Sequence, residues 1–268
     1  LKILLDKSSL FQNLNRTATY IGSKKLSELL LTLLENNEIK SNQQAINELS
    51  KKIEWRQYLL SLAKITKDSK NNYKKLIDWT EAKQEKIPKL LNIIFYITPI
   101  VFIVSIITNI LTNNPFFTYT AFTFFLINLA LAVTQLKKIK REIIDSDKIS
   151  EIVKQYGLII EKIENEKFDS KKLNLLKEKL IYKSGLASTQ IKKLSSLFSN
   201  MQSIQNAMAA ILFNGAFLYH IHTLNTLLNW KKEYSKHIKE WLEIIGEFET
   251  LNSLANFSYN NPTFIFPD

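Results

Sequence analysis

Leu90–Leu136 reads LLNIIFYITPIVFIVSIITNILTNNPFFTYTAFTFFLINLALAVTQL, a stretch without a single charged residue. Its first part, Leu90–Leu111, is roughly 22 residues, or about 33 Å as a helix, enough to cross a bilayer core. Asn113, Asn114 and Pro115 then make a turn, and Phe117–Leu136 returns. Pro99 lies inside the first run, where neighbouring helices and Ser or Thr side chains can satisfy the carbonyl it frees. The expectation is a transmembrane hairpin. The bland alternative is a buried hairpin in a soluble core, but so long an uncharged stretch between basic clusters is rare there. Lys83, Lys86 and Lys89 precede the hairpin, Lys137, Lys138, Lys140 and Arg141 follow it, and the connecting loop is uncharged. By the positive-inside rule both ends face the cytoplasm. An internal run of this length is not a signal peptide.

Around the hairpin the composition points to helices. Only 5 Gly and 5 Pro in 268 residues starve a β-rich chain of turns, so an all-α fold is expected. With 46% hydrophobic residues there is ample material for a core, which excludes a disordered chain. Cys is absent, excluding disulfide staples and thiolate metal sites. The chain opens at Leu1 rather than Met and is expected to be a piece of something longer.

Both flanking regions carry helical periodicity. After Thr19, a plausible N-cap, Leu26, Leu29, Leu30, Leu33 and Leu34 follow the three-four spacing of one buried face. Ile39, Ile46, Leu49 and Ile53 continue it, and Trp55, Leu59, Leu60 and Leu62 make another helix. Asp145–Tyr182 alternates Glu and Lys around Ile152, Ile159, Ile163, Leu173, Leu176 and Leu180, the pattern of long amphipathic helices. In Trp230–Leu254 the expected buried set is Trp241, Leu242, Ile245, Phe248 and Leu251. Asn260–Asn261–Pro262 and Pro267 end helical structure, and Phe264, Ile265 and Phe266 suggest a short extended piece. A second uncharged run, Leu194–Trp230, is punctuated by Asn200, Gln202, Gln205, Asn206, Asn214, His220, His222, Asn225 and Asn229. Each central amide or imidazole costs insertion energy, so this run reads as one long buried helix, and the chain as having two spans.

Catalytic signals are missing. There is no G-x-x-x-x-G-K-S/T to cradle phosphates, no G-x-G-x-x-G and no G-x-S-x-G elbow. His220 and His222 sit two apart, about 200° around a helix, a poor metal pair. His237 lies among lysines and reads as solvated. Asp145/Asp147 and Glu161/Glu164/Glu166 read as exposed faces. Two glycosylation sequons, at Asn15 and Asn256, fall in cytoplasmic segments. No catalytic, cofactor or metal site is expected in this chain. The formal charge of +11 has two sources: lysines beside an anionic bilayer, and doublets that could meet nucleic-acid phosphates. Lys24, Lys25, Lys192 and Lys193 are the candidate phosphate contacts, although these doublets sit beside many Glu and suit a solvated face equally well.

Three stretches together resemble a family. Asn15-Arg16-Thr17-Ala18-Thr19-Tyr20-Ile21-Gly22-Ser23-Lys24-Lys25-Leu26 is similar to the D-R-T-x-T-x-x-G-x-x-x-L opening of the helical core, or lever, domain of MutS-type mismatch-repair ATPases, with Asn15 for Asp. Glu38-Ile39-Lys40-Ser41-Asn42-Gln43-Gln44-Ala45-Ile46-Asn47-Glu48-Leu49 is similar to the E-I-x-x-R-Q-x-A-V-x-E-L helix, with Asn42 for Arg. Gly246-Glu247-Phe248-Glu249-Thr250-Leu251-Asn252-Ser253-Leu254-Ala255, with Asn261-Pro262 and Phe266-Pro267 after it, resembles the end of that domain. A hairpin inside this region resembles a membrane-anchored bacterial branch of MutS-like proteins. The family's mismatch-reading Phe-x-Glu has no counterpart here, nor does its DNA clamp. The matched residues Arg16, Thr17, Thr19, Gly22, Gln43, Glu249, Leu254 and Ala255 carry structural rather than chemical roles. Gly22 permits close helix approach, and Thr17 and Thr19 bond free backbone groups.

The resemblance implies a division of the chain. Residues 1–82 are the N-terminal part of a helical core, 83–141 the hairpin with its basic flanks, 142–259 the long-helix lever and rest of the core, and 260–268 the start of a linker. It further implies a P-loop ATPase after Asp268, binding ATP and Mg and forming a homodimer. The function expected is a lever segment coupling that ATPase to DNA at the bacterial inner membrane, with the bilayer and DNA as partners. Two alternatives belong to other classes: a non-enzymatic membrane scaffold binding a protein through its cytoplasmic helices, and a tether holding the nucleoid through Lys-rich faces.

Overall fold

Two helices form the uncharged stretch, and local residues explain their ends. In a computed structural model, which describes residues 9–83, 87–143, 147–182 and 185–266 apart from the side chains of 147 and 148, the chain is all-α with one two-stranded hairpin. The helices, in order, are α1 Leu10–Leu14, α2 Tyr20–Leu31, α3 Asn36–Lys51, α4 Ile53–Ala63, α5 Lys70–Glu81, α6 Lys89–Thr112, α7 Pro115–Glu142 and α8 Asp147–Glu164. After them come α9 Lys171–Glu178, strands β1 Ile181–Tyr182 and β2 Gly185–Leu186, α10 Ala187–Gln202, a 3₁₀ turn Ser203–Gln205, α11 Ala207–Phe217 and α12 Tyr219–Asn260. Lys86, Asp145, Pro267 and the side chain of Asp147, all named above, lie outside the described residues.

Contacts divide the chain into two units. The first comprises Trp79–Asp147 and Leu194–Ser235. Within it α6 and α7 pair as an antiparallel hairpin, 24 and 28 residues long, both long and apolar enough to cross a membrane. Asn113 turns the chain at φ 53°, the left-handed region that Asn tolerates, and the Asn114 side chain accepts from Phe116 N–H to start α7. Phe102 meets Phe125 across the pair at 5.8 Å. The outer faces stay bare: Ile93, Ile97, Ile100, Val104, Ile107, Phe122, Leu126 and Val133 are all exposed. A patch of this kind is costly in water and natural in lipid. At the foot of α7, Glu142 accepts from Trp79 Nε1 at 3.0 Å and from Lys231 Nζ at 3.2 Å. Lys231 also lies 4.5 Å over the Trp79 ring, so the buried pair is wrapped in aromatic surface.

The second unit comprises Leu1–Asp78, Lys148–Lys193 and Lys236–Asp268. Trp55, Phe168 and Phe248 meet in its core, with ring centroids 5.4 to 6.0 Å apart. Trp241, Leu242, Ile245, Phe248 and Leu251, the set read from spacing, are all buried along α12. Carboxylates from distant helices cap helix starts here, satisfying N–H groups that have no partner within the helix. Glu48 accepts from Asp169 N at 3.0 Å and Ser170 N at 2.6 Å. Glu164 accepts from the Ser188 N–H at 3.1 Å and from its hydroxyl.

Several expectations need correcting. Leu33 and Leu34 are outside α2, and Leu33 is fully exposed at 101%. Thr32 ends the helix: its hydroxyl donates to Glu28 O at 2.8 Å, satisfying a last-turn carbonyl while its backbone turns extended. The run Leu194–Trp230 is not one long helix but parts of α10 and α12, with the 3₁₀ turn and α11 between them. Glu164 is buried rather than facing solvent, because Ser188 needs its cap. The helices of 145–182 are shorter than expected, α9 having 8 residues, and β1 pairs with β2 directly after it. Phe264, Ile265 and Phe266 follow the helix in irregular, exposed chain and form no strand.

Candidate functional site

Residues from two of the three stretches that carried the family resemblance, far apart in sequence, meet at the start of α2. Asn15 Oδ1 accepts from Thr17 N at 3.0 Å and Thr17 Oγ1 at 2.7 Å, fixing the turn before the helix. Thr19 is the N-cap, its hydroxyl oxygen accepting from Gly22 N at 3.0 Å. Glu249 reaches in from α12: Oε1 accepts from Ala18 N at 2.8 Å, and Thr19 gives it both its N–H and its hydroxyl. Arg16 N donates to Ser253 Oγ at 3.1 Å. A second carboxylate, Asp68, accepts from Tyr20 N at 2.9 Å and from the buried Tyr156 hydroxyl at 2.8 Å.

Two glycines let the helices approach. A Cβ on Gly22 would lie 2.2 Å from Glu249 Oε2, and one on Gly246 would lie 2.9 Å from the Ile21 carbonyl. The second obstacle is backbone, which cannot swing aside. Gly246→Ala is therefore expected to cost about 1–2 kcal/mol by unfolding measurements, after the roughly 1 kcal/mol an exposed helix would gain from that change.

Burial raises the Glu249 carboxyl above the usual carboxylate range despite its hydrogen-bond donors, and does the same to Asp68. Folding thus tightens proton binding. The contribution is fully present below the ordinary carboxylate pKa and is lost as pH rises through the raised one. Glu249→Gln cannot titrate. The stability of the native chain relative to this variant should fall as pH rises above the ordinary carboxylate range, measured by thermal melts from acid to neutral pH. A gap that widens toward neutrality would contradict the assignment.

Beside this clasp of Glu249 on the helix start at Ala18 and Thr19 is a cavity of about 150 Å³ lined by Arg16, Arg56, Leu59, Glu249, Asn252 and Asn256. Arg56 is buried at 7% exposure, and burial lowers its pKa. Its bonds are long, 3.5 Å to Asn256 Oδ1 and 3.4 Å to Ser50 O, and no carboxylate pairs with it among the described residues. Sequence reading missed it, since nothing in a helical Trp-Arg-Gln marks an arginine for burial. A second cavity, about 140 Å³, is lined by Asn42, Lys25, Lys172, Glu247 and Thr250. Asn42 stands where the resembled pattern has Arg, and its Oδ1 is unpartnered. Gln43 is half-buried on α3, Leu254 is half-buried and Ala255 fully buried on α12.

The four candidate phosphate contacts do not form one bare stripe. Lys24 pairs with Glu28 at 3.5 Å, Lys25 with Glu247 at 3.8 Å and Lys192 with Glu161 at 2.5 Å, while Lys193 is exposed. His237 is half-buried rather than solvated, between the rings of Tyr182 at 4.4 Å and Trp241 at 5.9 Å.

One triad-like geometry occurs in the hairpin's unit. Ser203 Oγ is 2.9 Å from His220 Nε2, and Asn214 bonds His220 Nδ1. The Ser203 hydroxyl already donates to Asn200 O at 2.6 Å, so the imidazole donates to serine and draws no proton from it. The fully buried His220 is a joint, not a base. No group of three or more His, Asp or Glu side chains placed for a metal occurs among the described residues. No family model, no curated protein and no solved structure matches the chain. Its functional reading therefore rests on its own residues.

Proposed function

We propose that the chain is the helical core and lever of a membrane-anchored MutS-like ATPase, coupling a P-loop ATPase beyond Asp268 to DNA. The observation that carries this is the clasp. Two of the segments on which the resemblance rests lie 230 positions apart, and a side chain of one caps the helix of the other. Chance similarities at two ends of a chain have no reason to meet. Leverage is supported by the length of α12, 42 residues or about 63 Å. ATP and Mg belong to the ATPase domain, which also forms the homodimer. The hairpin holds the assembly in the bacterial inner membrane with both ends cytoplasmic, as its basic flanks and uncharged loop favour.

The test uses the full-length protein in nanodiscs with duplex DNA. Binding should weaken roughly tenfold or more between about 50 and 200 mM salt and should respond to ATP. Absence of binding at the lower salt, with and without ATP, would overturn DNA coupling. One observation favours a second reading, a non-enzymatic scaffold for a protein partner: Lys24, Lys25 and Lys192 already face glutamates.

A further inference from the structure

The segment 203–222 has polar residues that argue against membrane insertion, and the fold uses them internally. Helix α11 ends at Leu218, which adopts φ 50°, and α12 leaves at 83° to it. Several polar groups at the break find partners. Asn128 of α7 donates to Gly215 O at 2.8 Å, satisfying a carbonyl of the last turn. Asn214 Oδ1 accepts from His220 N at 3.1 Å, capping α12, while Asn214 and Ser203 bond the two imidazole nitrogens. Asn225 donates to Asn92 of α6 at 2.6 Å. A turn in water has no need of such closure; backbone in hydrocarbon does.

What remains outside is apolar. Met208, Ile211, Leu212, Phe213 and Phe217 are 48 to 74% exposed on an 11-residue helix. The same helix is seated on the hairpin. Gly215 lies so close to α7 that a Cβ would sit 2.2 Å from the Phe125 ring, and Leu218 and Ile221 pack with Phe95 and Ala132. Asn128, the residue that holds Gly215, precedes Leu136 at the end of the apolar run by eight positions, about 12 Å along α7. A bilayer core is about 30 Å thick.

We propose that α11 and its turn into α12 form a re-entrant membrane segment whose exposed face meets lipid acyl chains, entering and leaving on the cytoplasmic side. This rests on the hairpin lying in a bilayer and extends it: the anchor has three embedded elements but only two crossings. The occupant is lipid because this exposed apolar face belongs to a helix seated on the bare-sided hairpin, and because Leu194–Trp230 carries no Lys, Arg, Asp or Glu.

The chain has no Cys, so single cysteines can be introduced in the full protein without a background change. Spin labels on Met208→Cys and Leu212→Cys, in liposomes, are read by power saturation with oxygen and a water-soluble nickel chelate. Ile107→Cys on α6 is the lipid reference and Leu33→Cys the aqueous one. The α11 labels should match Ile107→Cys, with high oxygen and low nickel accessibility. Values matching Leu33→Cys while Ile107→Cys reads as lipid would overturn the re-entrant segment and leave the hairpin in place. Shielding from both reagents would also overturn it, in favour of a protein partner or a second copy. An aqueous Ile107→Cys would remove the membrane reading itself. Sidedness closes the test: Asn200→Cys and Lys232→Cys should react with an impermeant maleimide from the same side, and labelling from opposite sides would mean a third crossing and refute the proposal.

Discussion

Glu142→Ala is expected to destabilise the hairpin's unit by about 3–5 kcal/mol, because it strands a buried ammonium. Lys231 has a side chain only 3% exposed, and Glu142 is its carboxylate partner at 3.2 Å. The same oxygen accepts from Trp79 Nε1, so one deletion leaves two donors unsatisfied. Cation–π contact with Trp79 retains part of the Lys231 interaction, but a ring face does not replace a carboxylate. Replacing both partners, Glu142→Leu with Lys231→Met, should cost far less than Glu142→Ala alone, since no buried charge is then left unpaired. Urea unfolding in nanodiscs measures both variants. A double variant as unstable as Glu142→Ala would mean that packing, not charge, holds this corner.

The second large effect belongs to the clasp. Glu249→Ala removes the acceptor of the Ala18 and Thr19 N–H groups and of the Thr19 hydroxyl, and should cost about 3 kcal/mol. The partner position makes the account sharper. Gly22→Ala in the native chain drives a methyl into the Glu249 carboxylate and should cost about 1–3 kcal/mol. With Glu249→Ala already present the carboxylate is gone, but the Cβ at position 249 still lies 2.9 Å from the new methyl, so only part of the obstruction is relieved. Gly22→Ala should then cost less than it does in the native chain. The double-mutant cycle reads this coupling directly, and additive costs would show that the two residues do not meet.

How much of this was legible in the sequence depended on whether a residue's partner was local. The hairpin could be read from the absence of charge and from Asn113–Asn114–Pro115, and the helices fall within a few residues of the runs. The buried set of α12 could be read because one face follows a single helical period. Thr19 could be read as a cap, since its acceptor role is completed three residues later. Residues whose partners are remote could not. Glu164 looks like its neighbours Glu161 and Glu166 until Ser188, 24 positions on, donates to it. Asn214 and His220 looked like punctuation in a buried helix, whereas each satisfies the other at a break. Glu249 carried no local signal at all. It was marked only by the family resemblance, and its contact with Thr19 lies across most of the chain.

The capping carboxylates share one consequence. Glu249, Asp68 and Glu164 are each raised by burial while their donors hold the charged form. Helix starts are thus secured at the cost of desolvated acids. Mild acidification should therefore strengthen, not weaken, this part of the second unit.

The account's central claim, a lever attached to a nucleotide engine, is tested most directly by reading the gene's open frame past Asp268. The prediction is a continuing frame with G-x-x-x-x-G-K-S/T placed between a strand and a helix. A stop codon close after Asp268 would contradict it, leaving a membrane-held helical protein with no ATPase to move it.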